Sequence, residues 1–246
     1  MPMNHLTGRA IEEGFRQSLK KFAIVGFGTE ILYSFIIITC SLMIYFGTKE
    51  LYELTSHKGI KYFRQAFLFF ALAYFFRSFI KFILTYFNVG QILDISPRMI
   101  SPIFGQITLG IFMYFSSMAI FYLLYSVMWK KWNDNSQKIY LFHLLAFIIA
   151  VFSIFFRNSL VYFGINILLL CFVIFTFYIS RKQSKQKKAK HNLHIIYTLL
   201  FSFWILNIID ILIPNFFQTF QLFMYIISSA LFLAMLYKVL KKVGST

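Results

Sequence analysis

Charge is what this chain has least of. Only 13% of its 246 residues are Asp, Glu, Lys or Arg, about half the share of a soluble domain. Acid is the scarcer sign, with eight Asp and Glu against 24 Lys and Arg. Few carboxylates are therefore left for acid–base or metal chemistry. Glu12 and Glu13 are adjacent but have no His or further acid at catalytic spacing. Cysteine occurs twice, as Cys40 and Cys171 in different apolar segments, which supports neither a disulfide nor a metal site. The chain has no H-E-x-x-H pair, no G-x-S-x-G elbow and no glycine-rich phosphate loop. No residue is assigned a catalytic role, and no cofactor or metal is implied.

What is present is apolar sequence. Hydrophobic residues make up 59% of the chain, and its mean hydropathy is +0.72. Apolar stretches of about 20 residues recur, each long enough to cross a ~30 Å hydrocarbon core as a helix. Runs such as FIIITCSLMIYF and ILLLCFVIFTF do not alternate, which argues against membrane strands. The pattern predicts an all-α, polytopic membrane protein of seven transmembrane helices. The spans run Phe22 to Phe46, Ala66 to Asn88, Pro102 to Trp129, Ile139 to Phe156, Leu160 to Ser180, Leu193 to Ile213 and Phe216 to Leu240. Pro102 opens the third span, where a missing N–H costs least. The turns Arg157-Asn158 and Pro214-Asn215 read as tight helical hairpins.

Three regions follow: residues 1–21, the seven-helix domain 22–240, and a short tail 241–246. In the first, Ile11, Phe15, Leu19 and Phe22 recur at helical spacing among charges, which predicts an amphipathic helix at the interface rather than a cleaved signal. The longest loop, Gly47 to Gln65, is too short for a folded domain.

Lys and Arg distribution predicts orientation. With the N-terminus outside, sixteen fall on the cytoplasmic side and six on the outer side. That favours N-terminus out and C-terminus in, as a multi-pass protein of the cell membrane. The same distribution explains the formal net charge of +16 without nucleic acid. The densest patch is Arg181, Lys182, Lys185, Lys187, Lys188 and Lys190. It marks topology and meets anionic lipid headgroups, and it also offers a docking surface for a cytoplasmic protein partner.

Two cations stand where lipid should be. The second span reads AFLFFALAYFFRSFIKFILTYFN, with Arg77 and, one turn on, Lys81. A charge at mid-bilayer costs at least ~3 kcal/mol unless compensated. At 1.5 Å per residue, Arg77 lies roughly 16 Å from the start of its span and Lys81 about 6 Å further outward. Glu30 falls about 12 Å below the outer surface, and Asp210 stands roughly 25 Å from the inner start of its span. Asn207 shares a helix face with Asp210, and Gln106, Asn166, Gln218 and Gln221 also fall in outer halves. Depth matching is best for Lys81 with Glu30 and Asp210 and leaves Arg77 the least compensated.

Two readings of these polar residues stay open. They form a network that holds helices together, or they line an outward-facing cavity with a cationic floor for an anionic or polar ligand. His143 and His194 read as satisfied interfacial histidines. Seven helices with the N-terminus outside is also the layout of rhodopsin-like receptors and microbial rhodopsins, but that resemblance stops at layout. No lysine occupies the middle of the seventh span, so retinal is not expected, and YSVMWKKW lacks the acid-Arg-aromatic signature. The function expected is a receptor- or sensor-like bundle. The alternatives are a membrane scaffold or assembly subunit, or a small transporter of an anionic or polar solute.

Overall fold

The computed structural model describes residues 28–86, 97–132, 136–156, 159–186, 192–212 and 218–243. Among them every regular element is a helix. They are α1 (28–47), α2 (Lys49–Thr55), α3 (Lys58–Tyr86), α4 (Pro97–Met128), α5 (Ser136–Phe155), α6 (Ser159–Gln186), α7 (Asn192–Leu212) and α8 (Gln218–Val243). The helices at Gly28–Thr55 and Lys58–Ile83, and four later ones, are long and apolar enough to cross a membrane. The 21-residue α7 is apolar as well. The expected all-α membrane fold is present. The segment 1–21 and the start of the first span at Phe22 lie outside the described residues.

Helices α1 and α2 form one nearly continuous rod. Backbone bonds run through Thr48, from its N–H to Ile44 O (3.1 Å) and from Tyr52 N–H to its own carbonyl (3.2 Å). The rod ends at Ser56, whose φ of 47° is left-handed and whose N–H returns to Tyr52 O at 2.7 Å. The stretch expected as the longest loop, Gly47 to Gln65, is thus mostly helical. Two other boundaries also move. Helix α4 begins at Pro97, ahead of Pro102, because Pro97 takes the first position, where a missing N–H is tolerated. Helix α6 runs on to Gln186, so Arg181, Lys182 and Lys185 sit on its last turns rather than in a loop.

The bundle is built around α4. It packs against α3, α5 and α6, and 61% of its apolar stretch is buried, against 22% for α5 and for α6. Small residues make room for these neighbours. A Cβ on Gly110 would stand 2.5 Å from Ile154 Cδ1 of α5, and one on Gly59 of α3 would stand 2.9 Å from Ser126 O of α4. Close approach through small residues is the usual device where lipid removes the hydrophobic drive between helices. The outer faces of α5 and α6 carry exposed Leu141, Leu144, Phe147, Leu160 and Phe175. An apolar surface of that extent fits lipid rather than water.

The helices alternate in direction. Tyr33 of α1 meets Tyr74 of α3, while Tyr45 near the other end of α1 meets Arg64. Gly59 of α3 lies against Trp129 beside the end of α4, and Tyr74 lies against Phe112. The starts of α1 and α4 thus gather with the end of α3 at one pole of the bundle, and their opposite ends gather at the other.

Candidate functional site

Residues 74, 77 and 81 follow helical spacing on α3 and share one face, as do 30 and 33 on α1. The two faces meet. Arg77 donates to Glu30 Oε1 from Nε (3.1 Å) and Nη2 (2.9 Å), and Lys81 Nζ donates to the same oxygen at 2.5 Å. One carboxylate therefore serves two cations, and the three groups together carry one positive charge. The Arg77 guanidinium also lies 5.2 Å from the centre of the Phe112 ring of α4, a cation–π contact that adds to its compensation.

This geometry corrects the expectation that Arg77 is the less compensated of the two cations. Arg77 is the cation with two hydrogen bonds to Glu30, and Lys81 is the more exposed, at 39% against 26% for Arg77 and 16% for Glu30. Depth counting located the Cα atoms and ignored the reach of the arginine stem, which carries its charge to the same Glu30 oxygen that Lys81 meets. Arg77 also lies only six residues, roughly 9 Å, from the end of the apolar stretch at Ile83. It stands about midway between the middle of that stretch and its end.

A tyrosine layer lies beneath the charges. The Tyr33 and Tyr74 hydroxyls are 3.3 Å apart, and Tyr74 reaches Asn207 Oδ1 of α7 at 3.5 Å. Asn207 donates in turn to Phe203 O at 3.1 Å. Tyr225 of α8 stacks on Tyr33 with ring centres 4.6 Å apart, and Ser228 of the same helix lies close to the Tyr33 hydroxyl. Side chains from α1, α3, α4, α7 and α8 thus converge on one polar column. Of the residues expected from sequence, Glu30, Arg77, Lys81 and Asn207 belong to it.

The others are placed differently. Asn166 is buried on α6, and its amide donates to Tyr162 O of its own helix at 2.8 Å. Gln106 is half-buried on α4 and Gln221 half-buried on α8. Asp210 and Gln218 fall on α7 and α8 by backbone position, and their side chains lie outside the described residues. Tyr33, Tyr74, Tyr225 and Ser228 were missed by sequence reasoning, which took aromatics as core or interfacial anchors. Their signal was spacing, since Tyr33 follows Glu30 by three residues and Tyr74 precedes Arg77 by three.

Over 224 residues the chain is 29% identical to an uncharacterized protein of Archaeoglobus fulgidus. The likeness covers 87% of this chain and 92% of that protein. It extends across most of both chains. No family model and no solved structure matches the chain.

The opposite pole of the bundle is basic and aromatic. Arg64 Nε donates to Tyr45 O at 2.9 Å, and its guanidinium lies 4.8 Å from the Tyr45 ring centre. Lys130 lies over Trp129, Lys138 over Trp132 and Lys241 over Tyr237. Such aromatic–cation pairs suit the headgroup level. Arg181 and Lys182 are exposed at the end of α6. Lys185 shares that helix, and Lys187, Lys188 and Lys190 lie outside the described residues. Among the described residues no three His, Cys, Asp or Glu come together. Cys40 is buried and Cys171 exposed, both as free thiols.

Proposed function

We propose that this protein is a receptor- or sensor-like subunit of the cell membrane. In this reading its N-terminus lies outside and its C-terminus in the cytoplasm, by the positive-inside rule. The polar column then opens outward, and it recognises a small anion such as a carboxylate or phosphate. The basic pole faces the cytoplasm, where it meets anionic headgroups and a protein partner.

The observation that carries this reading is the convergence of Arg77 and Lys81 on a single oxygen of Glu30 in a partly exposed setting. Glu30 is then an internal stand-in for the ligand. An entering anion competes with it for the two cations and releases α1 from α3. A ligand shifts an equilibrium only by its preference for one state, and here that preference is the exchange of one carboxylate for another.

Thermal shift of the detergent-purified protein against small carboxylates and phosphates tests it. Anions should stabilise the wild type. They should stabilise Glu30→Gln at lower concentration and leave Arg77→Gln unmoved. If no anion shifts the wild type or Glu30→Gln, the cluster is a packing device and the assembly-subunit reading takes over. That second reading is favoured by the closed Arg77–Glu30 geometry, since interhelical polar contacts hold membrane bundles together at about 0.6 kcal/mol each.

A further inference from the structure

A second polar site lies on another face of α3, where that helix meets α4 and α5, and shares no residue with the ion cluster. His143 of α5 is hydrogen-bonded through Nδ1 to the Tyr114 hydroxyl of α4 at 2.8 Å. Phe69 of α3 and Tyr122 of α4 stack 5.1 Å apart, nearly parallel at 19°. Both stand 6.2 Å from the imidazole centre, at 61° and 79° to it. Phe115 adjoins Phe69 at 5.9 Å and Tyr114 at 5.3 Å. All five residues are partly exposed.

The two imidazole nitrogens differ in their surroundings. Nδ1 has the tyrosine; Nε2 has no hydrogen bond among the described residues. A phenol is a better donor than a neutral imidazole, so we assign the Tyr114 hydroxyl as donor to Nδ1 and place the ring proton on Nε2. That N–H stands six residues, roughly 9 Å, inside the apolar stretch that begins at Gln137. Its neighbours along α5, Tyr140, Leu141, Leu144 and Phe147, are exposed on the surface assigned to lipid. A polar N–H at that depth has no water to turn to and is costly to leave unpaired. The Phe69 and Tyr122 rings lie beside the imidazole, and neither is hydrogen-bonded to it.

We infer that this partly exposed aromatic cluster binds a quinone-type molecule dissolved in the bilayer, whose carbonyl oxygen accepts from His143 Nε2–H. A flat conjugated head lies against the Phe69 and Tyr122 rings, which favour stacked or edge contacts, and its isoprenoid tail remains among lipid chains. A phospholipid ester supplies the same carbonyl without the flat head, so the aromatic walls select between the two. Tyr114 is a positioning residue that holds the imidazole in the tautomer the carbonyl needs.

Titration of the full-length protein in nanodiscs with a short-tailed quinone, read by quenching of intrinsic fluorescence, tests the inference. Saturable binding is expected. His143→Phe should weaken it about tenfold, the scale of one lost hydrogen bond. His143→Gln, which retains a donor, should recover part of that loss. Tyr114→Phe should weaken binding less than His143→Phe, and Arg77→Gln should leave it unchanged, which separates this site from the anion reading. Comparison of ester-linked with ether-linked lipid discs identifies the source of the carbonyl. The proposal fails if binding is not saturable, if His143→Phe and His143→Gln, both folded by circular dichroism, bind like wild type, or if ester lipids alone compete the quinone away.

Discussion

Glu30 engages two cations through one oxygen, so the three charges of the cluster should not be equally costly to lose. Glu30→Gln removes the carboxylate that Arg77 and Lys81 share and should destabilise the protein by about 3 kcal/mol, the low end for breaking a buried pair because the site is partly open. Arg77→Gln leaves Glu30 with Lys81 and should cost roughly 1–2 kcal/mol. Lys81→Gln removes the most exposed member and should cost about 1 kcal/mol or less. Denaturation in mild detergent measures the order, and Arg77→Gln as costly as Glu30→Gln would contradict the shared-carboxylate geometry. Tyr74→Phe cuts the link between Tyr33 and Asn207 and should cost about 1 kcal/mol. The identity of the charged residues was legible in the sequence, because ionised groups in apolar runs announce themselves. Their pairing was not, because it depends on how far an arginine stem reaches along a neighbouring helix. The tyrosines were hidden by their abundance, since fifteen occur in the chain and most have no role in this cluster.

At the scale of the element, the helices were legible and their ends were not. Length and apolarity mark a span, but nothing apolar marks where a helix stops once it leaves the membrane. Lys, Gln and Arg are good helix formers, so α6 continues through Arg181 and Lys182 to Gln186. For the same reason Lys49–Thr55 is helix α2 rather than loop. The centrality of α4 was written in Gly110, Ser116, Ser117 and Ala119, a run of small residues that hydropathy alone does not register. Packing against them makes two glycine substitutions unequal. Gly59→Ala would press its methyl on the Ser126 carbonyl and the Trp129 indole, at 2.9 and 2.8 Å. A carbonyl within a helix cannot yield, so a loss of about 2–3 kcal/mol is expected. Gly110→Ala meets only the side chain of Ile154, which can rotate toward lipid, and should cost about 1 kcal/mol. Melting temperatures of the two variants in one detergent decide the order. A separate substitution should stabilise: Ser56→Gly relieves a left-handed residue at the end of α2, with a gain of about 0.5–1 kcal/mol.

For the whole molecule, the separation of its two poles sets the sidedness of everything proposed. The ion cluster gathers the starts of α1 and α8 with the ends of α3 and α7, whereas Lys130, Lys138 and Lys241 mark the other pole. Each pole therefore fixes the location of the other, and one labelling experiment orients both. In a background with Cys40 and Cys171 replaced by alanine, Phe156→Cys places a thiol just past the end of α5 at the cluster pole. Lys131→Cys places one just past the end of α4 at the basic pole. A membrane-impermeant maleimide applied to intact cells should label Phe156→Cys at once and Lys131→Cys only after lysis. The positive-inside rule demands that order, because basic loops are retained on the cytoplasmic side. The reverse order would turn Glu30, Arg77 and Lys81 toward the cytoplasm. The anion competing with Glu30 would then have to be an intracellular solute, and the basic pole would lose its headgroup and partner role inside the cell. The cluster at His143 borders the apolar face of α5 that carries Leu141, Leu144 and Phe147, so quinone binding there should be the same in either orientation.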